Sequence, residues 1–388
     1  MRKKVLRILN INDSLDLKSG GGTAERTFQL SNLLAKKEGW NCDVLALDSE
    51  YLSNERIKYL SPANFFAFKF LFKRFKLPLI NFKVLYKLIT QADIVHLMGH
   101  WSILNAVAYI YTQIYKKPYV VCPAGSLEIY GRSRIIKLIY NIIIGRSIIE
   151  NATALIAITE DEILHFAKYD VDLSKIIVIP NGVNKVDFPN FKTDFYKKKY
   201  LLTEGMLILF MGRLNSIKGP DILLDAFIRI RHLIPKCHLV FAGPDEGLLQ
   251  SLIIKVNQNG LERTVHFLGH ISGHDKIALY RMANLLVVPS RNEAMSIVAL
   301  EAGICGTPVI VTDQCGFPEI KHVDRLLEVE ANPKSIASAI KSLMSDKIYL
   351  NQVGIKMKKF VTKKYLWNSA VKKYIRLYDQ IILDLNMH

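Results

Sequence analysis

Two carboxylates, Glu293 and Glu301, stand eight positions apart in SRNEAMSIVALEAG, a stretch made mainly of small and apolar residues. The run LLVVPS just before them reads as a strand, and a helix is expected to begin near Ala294 to Ser296. The free backbone N–H groups of Met295, Ser296 and Ile297 would then face an anionic or hydroxyl-rich ligand. At about 100° per residue, Glu301 projects roughly 80° round from Glu293, so the two do not pair but reach different parts of one ligand. A sugar would suit the first, and a ribose, whose adjacent hydroxyls both donate, the second. A sugar nucleotide contains both. Without a ligand, Glu293 would be a dipole partner at a helix start and Glu301 an exposed helix charge.

A second piece, GRLNSIKG at 212–219, follows the apolar run MLILFM. Arg213 and Lys218 flank a strand-to-helix loop, and their types suit neutralisation of a leaving diphosphate without a metal. The only literal D-x-D, Asp170 and Asp172 in KYDVDLSK, reads as a turn.

The elements that must position these residues alternate apolar β-branched runs with longer helical patterns, the mark of βαβ units and parallel sheets. Strands are expected at VLRILNI, CDVLAL, DIVHL, PYVVC, ALIAIT and IIVIP. After Asn190 the pattern pauses in the lysine-rich FKTDFYKKKYLLTEG, then restarts at MLILFMG, HLVFAG, VHFLG, LLVVPS and PVIVT. The reading is α/β: two Rossmann-like, doubly wound domains over 1–190 and 191–364, binding ligand in a cleft between facing halves. A strongly amphipathic helix with no strand after it occupies 365–388. Neither half carries G-x-G-x-x-G, which disfavours a dinucleotide oxidoreductase.

With 388 residues the chain exceeds the size at which one core keeps growing. Its formal charge of +17 predicts an anionic partner. Five scattered cysteines, none in a C-x-x-C pair, indicate neither a disulfide framework nor a zinc site and fit a reducing cytoplasm. The longest stretch without Lys, Arg, Asp or Glu, Ile94 to Tyr115, contains His96, Gly99, His100, Asn105 and Gln113. It is read as a strand, a loop and a buried helix rather than a membrane span.

Taken in order, the E-x7-E spacing of Glu293 and Glu301, the GRLNSIKG loop, IPNGV at 179–183, FAGPDEG, VHFLGHI and GGGTAE resemble the retaining, GT-B-fold, family-4 glycosyltransferases over nearly the whole chain. The resemblance implies that Arg213 and Lys218 hold the donor diphosphate, that Glu301 binds the donor ribose, and that Glu293 with the N–H groups of Met295, Ser296 and Ile297 holds the transferred sugar. It places Gly243 of the FAGPDEG turn in the donor-binding set and the loop Gly269, His270, Ile271 against the base. Gly21 and Gly22 would approach the phosphates or acceptor, and the terminal helix would cross back onto the first domain. Many relatives carry a histidine in the loop after the fifth strand, where this chain has Ala124 in CPAGSL. His96 and His100, in DIVHLMGHWS, are the nearest substitutes.

The implied activity is metal-independent hexosyl transfer with retention, from a nucleotide-sugar to a saccharide acceptor, in cell-envelope polysaccharide or lipopolysaccharide synthesis. No cofactor and no metal are expected. Between Ile57 and Thr90 the chain has seven Lys or Arg, nine Phe or Tyr and no acid, which suits an anionic membrane surface. A second basic, apolar helix, GRSRIIKLIYNIIIGRS, lies in the same domain. The expected setting is thus cytoplasmic and peripheral, on the inner membrane face, with a lipid-linked saccharide as a natural acceptor. Single-stranded nucleic acid would also suit a basic, aromatic segment, but no recognition motif supports it and none is expected as partner. The alternatives are a sugar-nucleotide epimerase of the same architecture and a non-catalytic protein binding a membrane or nucleic acid.

Overall fold

Continuous apolar runs, buried on both faces, form parallel strands here. In the computed structural model, which describes residues 5–71, 77–129, 133–200, 202, 204–234 and 236–387, the chain divides into two compact units. One comprises Met1–Asn181 with Trp367–His388, and the other Gly182–Leu366.

The strands of the first unit are β1 (Leu6–Ile11), β2 (Trp40–Leu47), β3 (Asn64–Phe68), the short ribbon β4 (Phe70–Leu71) and β5 (Leu77–Pro78), then β6 (Ile94–Met98), β7 (Tyr119–Cys122), β8 (Ala154–Ala157) and β9 (Ile176–Val178). Seven of them make one parallel sheet in the order β3-β2-β1-β6-β7-β8-β9. Helices covering both faces explain why every residue of β6, β7 and β8 is buried. The uncharged stretch from Ile94 divides as expected, into β6, a loop and the helix Ile103–Ile114. No helix among the described residues is long and apolar enough to cross a membrane.

The second unit repeats the plan with β10 (Met206–Met211), β11 (Cys237–Ala242), β12 (Val265–Gly269), β13 (Leu285–Val288), β14 (Val309–Thr312) and β15 (Glu328–Val329). Its parallel order is β12-β11-β10-β13-β14-β15. In both sheets the winding reverses beside the first strand, between β1 and β6 and between β10 and β13. Loops leaving the strand ends diverge there and open a crevice.

Four strands were not foreseen from the sequence: β3, the ribbon strands β4 and β5, and β15. β3 lies inside the basic, aromatic segment, where Phe68 is buried in the core and Phe66 and Phe70 pack against it. β15 is only two residues long. The break between units also falls earlier than residue 190, because 182–190 is tied to the second unit. Val183 donates its N–H to the Tyr365 carbonyl at 2.8 Å, and the Arg281 guanidinium donates to the carbonyls of Phe188 and Pro189 at 2.8 and 3.1 Å.

The helix Trp367–Met387 buries Trp367, Ala370, Val371, Tyr374, Leu377, Tyr378 and Ile381, a spacing of threes and fours that aligns one face. That face packs within the first unit, against the helix Leu17–Ala35. Between them sits Arg26, wholly buried. Its Nε–H donates to Tyr374 Oη (3.0 Å), Nη1 to Asn181 Oδ1 (2.9 Å) and Nη2 to the Ile179 carbonyl (2.6 Å). The IPNGV motif therefore supplies two of the three acceptors. A buried cation with its donors satisfied is tolerated, whereas acceptors stripped of their donor are not.

Arg26→Met should accordingly cost on the order of 3 kcal/mol of first-unit stability in urea unfolding. It should also raise amide exchange along Trp367–Met387. Exchange unchanged there would mean that the helix is held by its apolar face alone.

Candidate functional site

β10 ends at Met211, and the loop that follows is built by its own polar residues. Asn215 Oδ1 accepts the Lys218 N–H at 2.9 Å, and its carbonyl accepts the Gly219 N–H at 3.2 Å. Gly219 has φ +66°, and a Cβ there would overlap the Pro289 carbonyl, so glycine alone lets this loop close against the end of β13. Pro220 then opens the helix Pro220–Ile230 at its favoured first position.

Across the crevice, Lys218 Nζ lies 2.7 Å from Glu293 Oε1, and the two side chains are only 23% and 14% exposed. The other carboxylate oxygen of Glu293 accepts from Ser290 Oγ at 3.0 Å, and its N–H donates to the Gln314 carbonyl at 2.8 Å. Arg291 clamps the two loops together. Its guanidinium meets Asp221 with both Nη atoms, at 2.9 and 2.5 Å, and donates to the Ser216 carbonyl at 2.6 Å. Burial raises the Asp221 pKa, but the Arg291 hydrogen bonds and charge outweigh it and hold the carboxyl below its ordinary value. Asp221 and Arg291 were absent from the sequence-derived set. Their separation of 70 positions gave no local signal.

Arg213 projects from the same loop but is half exposed and ion-paired with Glu246 at 3.0 Å. Glu246 also accepts from Asn215 Nδ2 at 2.7 Å. This carboxylate lies within the FAGPDEG turn, where Gly243 lets the loops after β10 and β11 touch and donates its N–H to the Gly269 carbonyl at 2.7 Å. Gly269 and His270 are exposed and Ile271 is half-buried. Arg213, Lys218, Gly243, Gly269 and Glu293 thus gather at one edge of the sheet.

The helix after Glu293 begins later than expected. It spans Ile297–Cys305, with Ser296 as its N-cap and Met295 buried before it. Only Ile297 of the three anticipated N–H donors belongs to the first turn. Ser296 makes no side-chain cap bond, and its Oγ is buried without a partner. Glu301 is not an exposed charge. Its oxygens take Lys276 Nζ and Tyr280 Oη, each at 2.7 Å. Lys276 and Tyr280 are four apart on the helix Gly273–Met282, a spacing that puts both on one side. Burial, then the Glu301 charge, pushes the Tyr280 phenol far up, so it remains a donor.

The remaining candidates lie in the first unit. Gly21, with φ +52° and ψ −131°, interrupts the helix Leu17–Ala35, and Gly22 next to it is exposed. His96 is fully buried, bonded through Nδ1 to Tyr378 Oη at 2.8 Å and packed on Tyr374. His100 Nε2 meets Asn141 Oδ1 at 2.9 Å among Trp101, Tyr140 and Tyr169. Ala124 holds φ +51°, unusual for a residue with a Cβ. Buried Glu162 pins this loop by accepting the Gly125 N–H at 2.5 Å and the Ile158 N–H at 2.7 Å. Asp170 pairs with Arg146 and Asp172 caps a short turn by accepting the Ser174 N–H. In the 57–90 segment, Tyr59, Phe82 and Tyr86 are exposed, and residues 72–76 lie outside the described residues.

Residues 192–360 match the family Glycosyl transferases group 1, and residues 20–186 match Glycosyltransferase Family 4. The chain belongs to the group 1 glycosyltransferases, with the GT-B fold. An uncharacterized glycosyltransferase of Methanocaldococcus jannaschii, MJ1607, is 34% identical over 215 residues, covering 53% of this chain and 54% of that one. The D-inositol 3-phosphate glycosyltransferase of Corynebacterium jeikeium is 29% identical over 253 residues, covering 61% and 59%. The chain thus aligns with little more than half the length of these curated relatives. Among solved structures, Anabaena Alr3699/HepE in complex with UDP and glucose superposes with a TM-score of 0.80 at 16% identity, covering 97% of this chain and all of that one.

The two buried histidines carry a pH signature. Burial, then the charge of Arg26, lowers the His96 pKa to about 3, and burial lowers His100 to about 4. An unfolded chain protonates its histidines near pH ~6.5, so between there and the folded values the unfolded state binds more protons. Their contribution is complete above about pH 6.5 and is lost as the pH falls, by about 1.4 kcal/mol per pH unit for each. Replacing His96 by Gln should flatten the first unit's stability slope between about pH 6 and about pH 5 by that amount. An unchanged slope would mean that His96 is charged in the folded protein.

Proposed function

We propose that this chain is a retaining, metal-independent hexosyltransferase that uses a nucleotide-sugar donor and a saccharide acceptor. The observation that carries this reading is the Lys218–Glu293 pair, held at the switch point of the second sheet by Arg291, Asp221 and Ser290. It supports a site whose cation and carboxylate are fixed before the ligand arrives, so little reorganisation is left for the reaction itself.

In this reading the donor diphosphate takes Lys218, Arg213, the unpartnered Ser296 hydroxyl and the first-turn N–H groups that follow it. Arg213 is released from Glu246 at a cost of no more than about 1 kcal/mol, because the pair is exposed. The hydroxyls of the transferred sugar donate to Glu293, and those of the ribose to Glu301, which Lys276 and Tyr280 hold in place. The sugar–phosphate bond breaks with its electron pair leaving on the diphosphate. An acceptor hydroxyl then attacks the same face and passes its proton to the departing phosphate oxygen. Lys218 and Arg213 stabilise that charge as it grows, which is the task a metal performs in other transferases.

The acceptor is read as a saccharide, lipid-linked in cell-envelope polysaccharide or lipopolysaccharide synthesis. The protein would work at the inner face of the cytoplasmic membrane, with the exposed Phe82 and Tyr86 and their neighbouring lysines supporting a contact in 57–90.

A panel of UDP-, GDP- and other nucleotide sugars, screened by thermal shift and nucleotide release with chelator present, tests the donor reading. One donor should stabilise the protein selectively. Lys218→Ala and Glu293→Ala should each lower kcat by about a hundred- to a thousandfold while the protein stays folded. Near-normal turnover in either variant would remove the mechanism. Conversion of the donor with no acceptor present would make the protein an epimerase, and full loss of activity on chelation would bring in a metal.

A further inference from the structure

We propose that residues 134–143 form a preformed membrane wedge, whose aliphatic face inserts into the headgroup layer of an anionic bilayer. This proposal rests on the reading of a membrane-bound acceptor and moves the principal lipid contact out of the 57–90 segment.

The helix Arg134–Tyr140 continues through the π-helical turn Asn141–Gly145 into Arg146–Glu150. Along it, Ile135, Ile136, Leu138, Ile139, Ile142 and Ile143 are each between 49% and 80% exposed. Their spacing sets them along one broad side. Single exposed aliphatic residues are ordinary, but six in nine positions are a patch that calls for a partner.

Charge selects among partners. No Asp or Glu occurs between residues 129 and 149 and the exposed Arg134 borders the aliphatic side, while Lys137 lies over the Trp101 ring on the inner side and Arg146 is paired with Glu150 and Asp170. A second copy of the chain would bring Arg134 against its own kind and two charges of +17 together. Anionic headgroups reverse that sign, and acyl chains take the isoleucines. Nucleic acid would want stacking aromatics, which this side lacks. With no helix among the described residues able to cross a bilayer, the segment lies on the membrane rather than through it.

The inner side of the same helix is firmly mounted. Tyr140 Oη donates to the Ser102 carbonyl at 3.0 Å, Asn141 Oδ1 meets His100 Nε2, and Asn141 Nδ2 donates to Tyr169 Oη at 2.9 Å. Gly145 allows the close turn, since a Cβ there would overlap Asn141. The wedge therefore needs no folding on contact, and it stands directly on the loop that ends β6. Lipid would be brought beside the strand ends of the first unit, where a lipid-borne acceptor is wanted.

The test is flotation of the full chain with phosphatidylcholine vesicles, with and without phosphatidylglycerol. The protein should float only with the anionic vesicles. A triple variant, Ile135→Asp, Ile139→Asp and Ile142→Asp, should bind them at least about tenfold more weakly, and Arg134→Gln about fivefold more weakly. Because these side chains are exposed, the triple variant should keep its thermal midpoint and its stabilisation by donor. Flotation of the triple variant equal to wild type would overturn the proposal. So would loss of flotation only in Phe82→Ser with Tyr86→Ser, which would return the contact to 57–90. Light scattering that finds a wild-type dimer and a triple-variant monomer would make the face a self-association seam instead. Failure of every nucleotide sugar to stabilise the wild type, with vesicle binding still lost in the triple variant, would sink the donor reading and leave the wedge standing.

Discussion

Within each large sheet every strand runs parallel to its neighbours, and the rest of the arrangement follows from that constraint. Parallel strands deliver their outgoing loops to one edge, so residues as distant in sequence as Lys218 and Glu293 become neighbours once β10 and β13 pair. Where winding reverses, the two loops have no helix packed between them. The charges there meet each other directly, Lys218 against Glu293, steadied from behind by a clamp of Arg291 on Asp221. Stability and chemistry are separated by direction along the strand, with apolar burial in the middle and polar loops at the end.

What was legible in the sequence followed from local periodicity. Runs such as MLILFM and LLVVPS identify themselves as buried strands because both faces are apolar, and glycines at loop starts mark where backbone must approach backbone. The two glutamates and two cations could be picked out for the same reason, as charges where the pattern had no other use for them. Less legible was anything set by pairing across long separations. Glu246 as partner of Arg213, Lys276 and Tyr280 around Glu301, and the late start of the helix at Ile297 depend on which loops come to lie together. β3 was hidden because its phenylalanines carry two readings, and only the sheet decides that Phe68 faces inward.

The histidines illustrate how similar residues part company under burial. His96 and His100 are separated by one turn of loop, yet neither retains a solvated ring. Desolvation keeps each neutral, and each spends one nitrogen on a neighbour, Tyr378 or Asn141. At Ala124 the left-handed turn stands without a polar side chain, and Glu162 grips the backbone N–H of Gly125 beside it. The loop's shape is thus a property of its backbone anchors rather than of the residue at its tip.

The placement of Trp367–Met387 in the first unit has a consequence for the order in which the protein is made. Residues 182–366 must all be synthesised before Arg26 can meet Tyr374 and before His96 is covered by Tyr378. At typical elongation rates that delay is on the order of tens of seconds. Throughout it, the emerging first unit carries a guanidinium and an imidazole in a half-built interior, open to water, while the second unit, contiguous in the chain, can fold to completion. The unit encoded first is therefore the unit finished last.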